Sequence, residues 1–467
     1  MASYTQGDTR LTLTQAQVTA GQNNGSLVVD SQATRPYWFD GRFLAARDLQ
    51  REQDYFLERQ GDLGQAAGFS VLHGLMVELP AANDPDADGD TVIVRAGQGL
   101  TPAGELVLLP NDLTIDLSDL PDEENLDVQF NVSGAPNTPA RTRSGAYVLA
   151  LRPVEFTANP IASYPTSIQG TRTTHDGSII EATALSLVPY PAPVSWTGGS
   201  SQDASQLRAA LARQIFLNAK ATQLSNELLP LAMIYLTRNV IVWLDPYMVR
   251  RDSGPEYAGL RLGLADPATQ RAFLMQYDSM LQETVATRTA AGSSPSFAAA
   301  NYFDALPPGG RFTLASIGIT LTSPTSGNFT QAFFPQQLDV RLSVIPVDEI
   351  PALVEDSMAL PPIDLTLPAN AYADLTVFAL IPVPRTGFAA LKANLPTLAP
   401  NPTVPQILSF RTPSDLLQLY RGAISVVQPT QNQNSAWQTA IGNQTYGFYI
   451  RARSSPAYVS FATGINS

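Results

Sequence analysis

The stretch TVIVRAGQGLTPAGELVLLP, residues 91–110, decides the fold class. Its two apolar runs are short and rich in valine and leucine, and the turn Thr-Pro-Ala-Gly separates them, which predicts β-strands rather than a helix. The preceding run LMVEL, residues 75–79, is joined to this stretch by the turn-rich segment PAANDPDADGD, residues 80–90. Together the three runs predict a small β meander.

Beyond this meander the sequence alternates between strand and helix patterns. Further strands are predicted within AYVLALRPVEF (146–156), SIIEATALSLVPY (178–190), LPLAMIYLTRNVIVWLDPYMVRR (229–251, two strands around the Thr-Arg-Asn turn), RFTLASIGITLT (311–322), QLDVRLSVIPV (337–347), DLTVFALIPV (374–383), GAISVVQ (422–428) and YGFYIRA (446–452). Helices are predicted at about 45–66, 204–228 and 267–290. The last has Asp266 as a possible cap and Pro267 at its first position.

Two further segments complete this reading. The polar residues 1–35, which include LTLTQAQV at 11–18, predict an arm or an edge strand. RLSVIPVDEIPALVEDSMALPP, which begins at residue 341, is echoed about 36 residues later by VFALIPVPRTGFAALKANLPT. Two copies are too few for a solenoid, so we interpret them as a duplicated βα unit.

The order of these patterns predicts a fold that is mainly β with α. A chain of 467 residues is too long for one core, and the period changes near residues 200 and 305. We therefore expect a β-rich region at 1–200 with an early helix, a helical region at 201–305, and a β-rich (α+β) region at 306–467.

Composition excludes several classes of function. The chain has 41 acidic and 28 basic residues and no run of bases, which argues against a nucleic-acid partner. It has no cysteine, which excludes disulfides, thiol nucleophiles and cysteine-ligated metals. The polar start MASYTQGDTR does not resemble a secretory signal, and LLPLAMIYL (228–236) is too short to span a bilayer, so we expect a cytoplasmic protein.

No set of residues points to catalysis, a cofactor or a metal. DPDADGD (84–90) matches the opening of a calcium loop, but the twelfth position, which needs a glutamate, is Arg95, so a solvated hairpin loop is the better interpretation. His73 and His175 have no metal-ligand spacing, and THDG around His175 is interpreted as an exposed turn. GQGLTPAGE (97–105) lacks a P-loop lysine and is interpreted as a turn. We expect no enzyme, although a hydrolase with an unrecognised carboxylate site stays open.

WLDPYMVRR, residues 243–251, gathers a tryptophan, an aspartate, a tyrosine and two arginines. We interpret it as an interdomain anchor, with its aromatic side chains buried and its arginine pair holding a carboxylate. A ligand site is the alternative.

The segment YWFDGRFLAARDLQREQDYFLERQ, residues 37–60, is the candidate interaction site. The predicted helix places Leu49, Phe56 and Leu63 seven residues apart, a narrow apolar stripe among charged residues that a partner would cover. The alternative is that the aromatic residues at 37–43 pack on the chain's own sheet. The candidate interface residues are Tyr37, Trp38, Phe39, Gly41, Phe43, Leu44, Leu49 and Phe56.

The same segment, followed by GFSVLHGLMVEL and GQGLTPAGELVLLP, resembles the start of the type VI secretion baseplate protein TssK. The resemblance rests on the order of matching positions at Trp38, Gly41, Phe43, Leu44, Gln50, Gln53, Tyr55, Gly74, Leu75, Gly104 and Leu106, then Leu229, Pro230, Leu231, Ala232, Asp245 and Pro246. YFDALPPGGRF resembles the junction with the family's last domain. The sequence departs from the family where AARDLQ replaces a Pro-x-His-Phe-Gln motif, and the last 150 residues hardly match.

The resemblance implies a non-enzymatic baseplate subunit. It implies a homotrimer with a β-rich shell domain, a helical neck and a β-rich head, which we assign to 1–200, 201–305 and 306–467. The shell would be held by other baseplate wedge proteins, and the head would reach a membrane complex or a surface receptor. A phage tail or an extracellular contractile injection system is an equally suitable machine.

A receptor- or carbohydrate-binding tail protein is the alternative function. Its β-rich C-terminal region would then recognise a surface ligand. The exposed aromatic residues expected to form the binding platform are Trp437, Tyr446 and Tyr449.

Overall fold

A computed structural model describes most of the chain. The described residues are 14–23, 27, 45–81, 89–120, 142–163, 173–191, 201–217, 224–252, 267–321, 327–346, 348–372, 375–383, 385 and 445–451. The predicted strand GAISVVQ (422–428), the cap Asp266 and the acidic positions of 84–88 lie outside them.

The fold is mainly β with α, as the sequence predicted. The helices are α1 (Gln15–Asn23), α2 (Ala46–Ala67), α3 (Ser201–Leu217), α4 (Pro267–Ala290) and α5 (Ile350–Met358). The strands are β1 (Ser70–Gly74), β2 (Val77–Glu78), β3 (Thr91–Val94), β4 (Gly97–Leu100), β5 (Leu106–Leu109), β6 (Leu113–Asp116), β7 (Gly145–Ser163), β8 (Thr173–Tyr190), β9 (Leu229–Thr237), β10 (Val240–Asp245), β11 (Ala305–Leu306), β12 (Gly309–Thr313), β13 (Ile317–Leu321), β14 (Gly327–Gln331), β15 (Asp339–Pro346), β16 (Ile363–Asp364), β17 (Thr376–Val383) and β18 (Tyr446–Arg451).

The N-terminal part is a layered β structure. Two three-stranded sheets, in the orders β1-β4-β5 and β2-β3-β6, pack on one face of a four-stranded sheet in the order β10-β9-β7-β8. Buried valines of the small sheets, such as Val92 and Val107, meet Leu149 and Leu187 of the large sheet in one core. Buried and exposed positions alternate along β5, although its sequence LVLL is apolar throughout.

Helix α3 covers the opposite face of the large sheet. Leu207, Leu211 and Ile215 of α3 share a core with Val148 of β7 and Trp243 of β10. The hairpin β9–β10 turns at Arg238 and Asn239, which both have positive φ (52° and 69°). Two successive positive φ values are typical of the tight turns that match the twist of a hairpin, so the predicted Thr-Arg-Asn turn is confirmed.

The C-terminal part is a mixed sheet between two helices. Its strand order is β12-β18-β17-β15, and β15 and β17 are parallel. Helix α4 packs on one face, where Tyr277 lies among Phe312 and Tyr449. Helix α5, which connects β15 to β17, packs on the other face through Ile350.

The predicted βα echo is visible in its first copy, β15–α5, and in the second strand, β17. The strands pair with Ile345 opposite Pro382, one position off the sequence echo, which aligns Ile345 with Ile381. The second helix of the echo falls largely outside the described residues.

The region between residues 200 and 305 contributes to both cores. β9 pairs with β7 from Gly145 opposite Leu236 to Leu151 opposite Leu229, so the large sheet includes strands from both sides of residue 200. α4 lies in the C-terminal core. The division into shell, neck and head at residues 200 and 305 stays a prediction.

Six local expectations were wrong. LMVEL, TVIVRAG and ELVLLP do not form one meander, because β2 and β3 lie in one sheet and β5 pairs with β4 in another. RFTLASIGITLT is not one strand, because a short 3-10 helix at Leu314–Ser316 separates β12 from β13. LTLTQAQV is not a strand over its second half, because Thr14 and Gln17 cap the start of α1: the Thr14 backbone N–H donates to Gln17 Oε1 (2.8 Å), and the Gln17 N–H donates to Thr14 Oγ1 (3.4 Å). The helix predicted at 204–228 spans Ser201–Leu217, and residues 224–228 are not helical. Residues 97–100 of GQGLTPAGE form strand β4, so only Thr101–Gly104 form a turn. THDG is not a turn but part of β8, opposite residues of β7.

Candidate functional site

The candidate site is an apolar stripe along helix α2. Leu49, Phe56 and Leu63 are 44%, 56% and 75% exposed, although they are the large apolar side chains of this helix face. Leu57 beside them is also exposed. A seven-residue spacing keeps side chains on one side of a helix, which is the pattern of a helix that packs along another element. We call Leu49, Phe56 and Leu63 the α2 stripe.

The C-terminal end of α2 is attached to the β layers through glycines. A Cβ on Gly64 would lie 2.0 Å from the carbonyl oxygen of Gly104, and a Cβ on Gly104 would lie 2.0 Å from the carbonyl oxygen of Gly61. Gly104 also has a φ of 86°, which favours glycine. The Gln65 side-chain amide donates to the carbonyl of Ala103 (3.0 Å). The close backbone approach therefore fixes how α2 leaves the sheet and which way its stripe faces.

Polar contacts order the surface beside the stripe. The guanidinium of Arg59 lies 5.6 Å from the Tyr55 ring centre and 3.2 Å from Asp62. Its hydrogen bond with Tyr55, and then the charge of Asp62, raise the pKa of Arg59. Tyr55 in turn packs edge-on against Phe56, with ring centres 5.7 Å apart. These exposed contacts contribute little stability, but they favour one arrangement of the side chains next to Phe56.

The structure places two of the predicted interface residues on this surface, Leu49 and Phe56. The others, at positions 37–39, 41, 43 and 44, lie outside the described residues. Whether the aromatic residues of 37–43 join the stripe or pack on the chain's own sheet stays a prediction.

The segment 243–251 is largely buried, as the sequence interpretation expected, although Tyr247 is only partly buried and the interdomain role stays a prediction. Trp243 is buried, and its Nε1–H donates to the carbonyl of Ala204 (2.9 Å). Of the arginine pair predicted to hold a carboxylate, Arg250 forms an ion pair with Asp252 (2.7 Å) and also donates to the carbonyls of Gly74 and Leu75. Arg251 donates to the carbonyls of Met248 and Arg250.

Asp245 of the same segment is the centre of a buried polar network. Its carboxylate accepts from Arg208 Nε (2.8 Å), from Gln276 Nε2 (3.1 Å) and from the backbone N–H groups of Tyr247 and Met248. Arg208 also reaches Glu283 on α4 (2.6 Å). A carboxylate with so many protein donors is satisfied structurally, so this network joins α3, β10 and α4 rather than offering a ligand site.

The remaining chemical candidates are dispersed. His73 and His175 are both exposed and lie on different strands, β1 and β8. Arg95, at the last position of the calcium-like loop, pairs with Glu78 (2.7 Å) and Asp112 (2.9 Å). Across the described ranges, no group of three histidine, aspartate or glutamate side chains is arranged to hold a metal. None of the helices described above combines the length and the apolar character that a membrane crossing requires.

The aromatic platform of the alternative function is not formed as expected. Tyr449 is 0% exposed, and its hydroxyl donates to the carbonyl of Pro307 (2.9 Å), because its position in β18 faces the core. Tyr446 is partly buried beneath the guanidinium of Arg311, 5.5 Å from the ring centre. Trp437 lies outside the described residues.

Sequence reasoning missed a second exposed apolar surface, on the outer half of the hairpin β7–β8. Phe156, Ile161 and Ile179 there are all more than half exposed. The signal was present in the sequence, since AYVLALRPVEF changes from a continuous apolar run to an alternation with polar residues.

Solved structures that are similar to parts of this chain include the following two. A crystal structure of TssK aligns with 56% of this chain and 49% of its own length, at 12% identity and a TM-score of 0.23. A chain of the baseplate complex from the type VI secretion system aligns with 55% of this chain and 69% of its own length, at 13% identity and a TM-score of 0.21. The match thus spans about half the length of the TssK chain. TM-scores this low establish no common fold, and no protein-family model and no curated protein sequence matches the chain.

Proposed function

We propose that this chain is a non-enzymatic structural subunit of the baseplate of a contractile injection machine. The machine would be a type VI secretion system, a phage tail or an extracellular injection system. The ordered sequence resemblance to TssK over the first 110 residues motivates the class of machine. The α2 stripe supports the mode of action, which is to hold position between other protein chains.

The exposed α2 stripe is the observation that carries the proposal. Three large apolar side chains lie on one side of a 22-residue helix and are each more than two-fifths exposed. Removing such side chains from water stabilises a contact by roughly 25 cal/mol per Å². The close contact between Gly64 and the turn at Gly104 holds the helix in a defined orientation. A defined orientation is needed for a specific interface but not for non-specific hydrophobic association.

The proposed assembly is a homotrimer that docks onto other baseplate wedge proteins through its N-terminal region. Its C-terminal region would reach a membrane complex or a surface receptor. Assembly would take place in the cytoplasm or in a released particle of the phage-tail type. These details follow from the resemblance and belong to the proposal.

Native mass spectrometry of the purified chain tests the proposal. The expected result is a trimer that binds other baseplate proteins of the same machine, and Phe56→Ser is expected to reduce both associations. Glu58→Ser is the matched control, because Glu58 is exposed on the same helix but faces away from the stripe. A monomer without affinity for those proteins would contradict the proposal. If Phe56→Ser and the wild-type chain associate equally well, the α2 stripe is not part of the interface.

A further inference from the structure

The hairpin β7–β8 extends well beyond the sheet that it belongs to. The two strands pair from Ala146 opposite Tyr190 to Ser163 opposite Thr173. β9 covers β7 only as far as Leu151, and β8 is the last strand of its sheet in the described part of the chain. Residues 155–163 and 173–181 therefore form a two-stranded projection, here called the outer ribbon. Nine residues of strand give it a length of about 30 Å.

The outer ribbon has no core of its own. None of its residues is buried, whereas Leu149, Leu151 and Leu187 on the inner half are fully buried. Phe156, Ile161 and Ile179 are 52%, 60% and 64% exposed, and Ile180 is also exposed. Two-stranded ribbons are marginally stable in water, and three or more strands or a packed layer are needed for independent stability. The ribbon thus has the character of an element that is completed by contact with something else.

The two faces of the ribbon differ in chemistry. Phe156 lies directly opposite Ile180 on the face that continues the α3-covered side of the sheet, where Val148 and Val188 are buried. On the other face Glu155 lies directly opposite Glu181. Like charges at directly opposite positions destabilise an antiparallel pair, and a cation between or beside them would relieve that repulsion.

The charges of the outer ribbon all have one sign. Glu155, Asp176 and Glu181 are its acidic residues, and it contains no lysine or arginine. A second copy of this chain that docked through its own ribbon would bring the same three acids to the contact, and any other surface of the copy belongs to a chain with a net charge of −13. Charge complementarity therefore favours a different chain, with arginine or lysine beside apolar groups.

The edge of β7 disfavours strand addition. Pro153 and Pro160 lack backbone N–H groups, and proline on an exposed edge is a common obstacle to pairing with another strand. The β7 edge is therefore a poor site for strand addition, which leaves the two side-chain faces of the ribbon and the edge of β8 as the surfaces for a partner.

We infer that the outer ribbon is a docking arm for a second, different polypeptide, which presents an apolar patch flanked by arginine or lysine. The partner binds both faces of the ribbon: its apolar patch covers Phe156 and Ile180 on one face, and its basic groups reach Glu155 and Glu181 on the other face, where Ile179 also lies. This inference concerns a surface distinct from the α2 stripe and does not depend on the type of machine, so either proposal can fail without the other.

Photo-cross-linking in the intact protein tests the inference. p-Benzoylphenylalanine is placed at position 156 or 179 of the full-length chain in its host cells, and the cross-linked peptide is identified by mass spectrometry. Position 240 is the matched control, because Val240 is a similarly exposed apolar residue on a different hairpin edge, at 53%. The expected product at 156 and 179, and not at 240, joins this chain to one other polypeptide, with arginine or lysine adjacent to the cross-linked residue.

Binding of the identified polypeptide, purified, supplies the second measurement. Phe156→Ser is expected to weaken binding by about tenfold or more, since a large apolar side chain is removed from the contact. Glu155→Gln combined with Glu181→Gln is expected to weaken binding and to reduce its dependence on salt. Because all three residues are exposed, unfolding curves of the variants should match the wild type.

Three results would overturn the inference. One is the absence of a cross-link at both ribbon positions. Another is a cross-link to a second copy of this chain. The third is a partner whose binding is insensitive to both the Phe156 and the glutamate substitutions.

Discussion

Replacing Gly64 by alanine tests how α2 is held on the β layers. The added Cβ would lie 2.0 Å from the oxygen, and 2.7 Å from the carbonyl carbon and the Cα, of Gly104. All three are backbone atoms, so no side chain can rotate to make room. Ordinary contacts between a carbon and a carbonyl oxygen are about 3.3 Å or longer, so the helix must move outward by about 1 Å or separate from the turn.

The magnitude follows from two opposing effects. Glycine in a helix interior is less stable than alanine by about 0.5–1 kcal/mol, which favours the substitution. Forced overpacking of a well-packed contact costs about 1–3 kcal/mol. Movement of the helix also weakens the hydrogen bond from Gln65 to Ala103. We expect a net destabilisation of the α2 contact by about 1–2 kcal/mol.

Gly61→Ala is the matched control, three residues away on the same helix. Its nearest neighbour would be the carbonyl oxygen of Ala103 at 3.5 Å, an ordinary contact. It should therefore show only the gain in helix stability, about 0.5–1 kcal/mol.

Hydrogen exchange of α2 peptides, followed by mass spectrometry, measures the local effect. Exchange in Gly64→Ala should be about 5- to 30-fold faster than in the wild type, and exchange in Gly61→Ala should be slower. If Gly64→Ala is protected as well as Gly61→Ala, α2 is not held by the close approach at Gly104, and the fixed orientation of the stripe loses its basis.

The other predictions concern the cores and their dependence on pH. Asp245→Ala should lower the unfolding free energy by about 3–5 kcal/mol, because it leaves the buried Arg208 without its main partner, whereas Glu283→Gln at the exposed end should cost less than about 1 kcal/mol; equal costs in urea unfolding would contradict the network. Burial raises the pKa of Tyr277 and of Tyr449 well above the usual value, so the folded state binds their protons more tightly and stability should fall as pH rises above about 10. Substitution of both tyrosines by phenylalanine should flatten that fall in unfolding curves measured between neutral and high pH, and an unchanged slope would oppose the assignment. Burial opposes ionisation of Asp364, but its hydrogen bonds from Arg213 and Thr366 dominate and lower its pKa, so this stabilisation is present above the ordinary aspartate pKa and is lost as pH falls. The stability difference between the wild type and Arg213→Gln should therefore shrink below about pH 4, and a constant difference would count against this ion pair.

Local patterns predicted the elements that short-range chemistry determines. The helix at 267–290 has the observed bounds, because Pro267 suits a first helical position and the repeat of buried residues in α4 is regular. The turn at Arg238 and Asn239 was likewise predicted. In each case the deciding residues are neighbours in sequence.

The misassigned segments depend on contacts between distant residues. Gly97 and Gly99 suggest a turn from sequence alone, but both lie in strand β4. They are glycines because a side chain at either position would collide with the backbone of β1, and at Gly99 also with Leu229. The sequence around Tyr449 suggests an exposed aromatic residue. Tyr449 is buried because β18 pairs between β12 and β17, which directs its side chain into the core. At the candidate site, no local pattern indicates that Gly64 packs against the backbone of Gly104, since the two glycines are about 40 residues apart in the chain.

Cysteine labelling shows whether another protein chain covers the α2 stripe. Because the chain has no cysteine, Phe56→Cys carries a unique thiol, and Glu58→Cys is the control that faces away from the stripe. Maleimide labelling is compared between the dilute, dissociated chain and the assembled complex. We expect the thiol at position 56 to be labelled readily in the dissociated chain and at least about tenfold more slowly after assembly, while labelling at position 58 changes much less. Equal labelling rates at position 56 before and after assembly would show that the α2 stripe stays exposed to water, which would contradict its role as an interface with another protein chain.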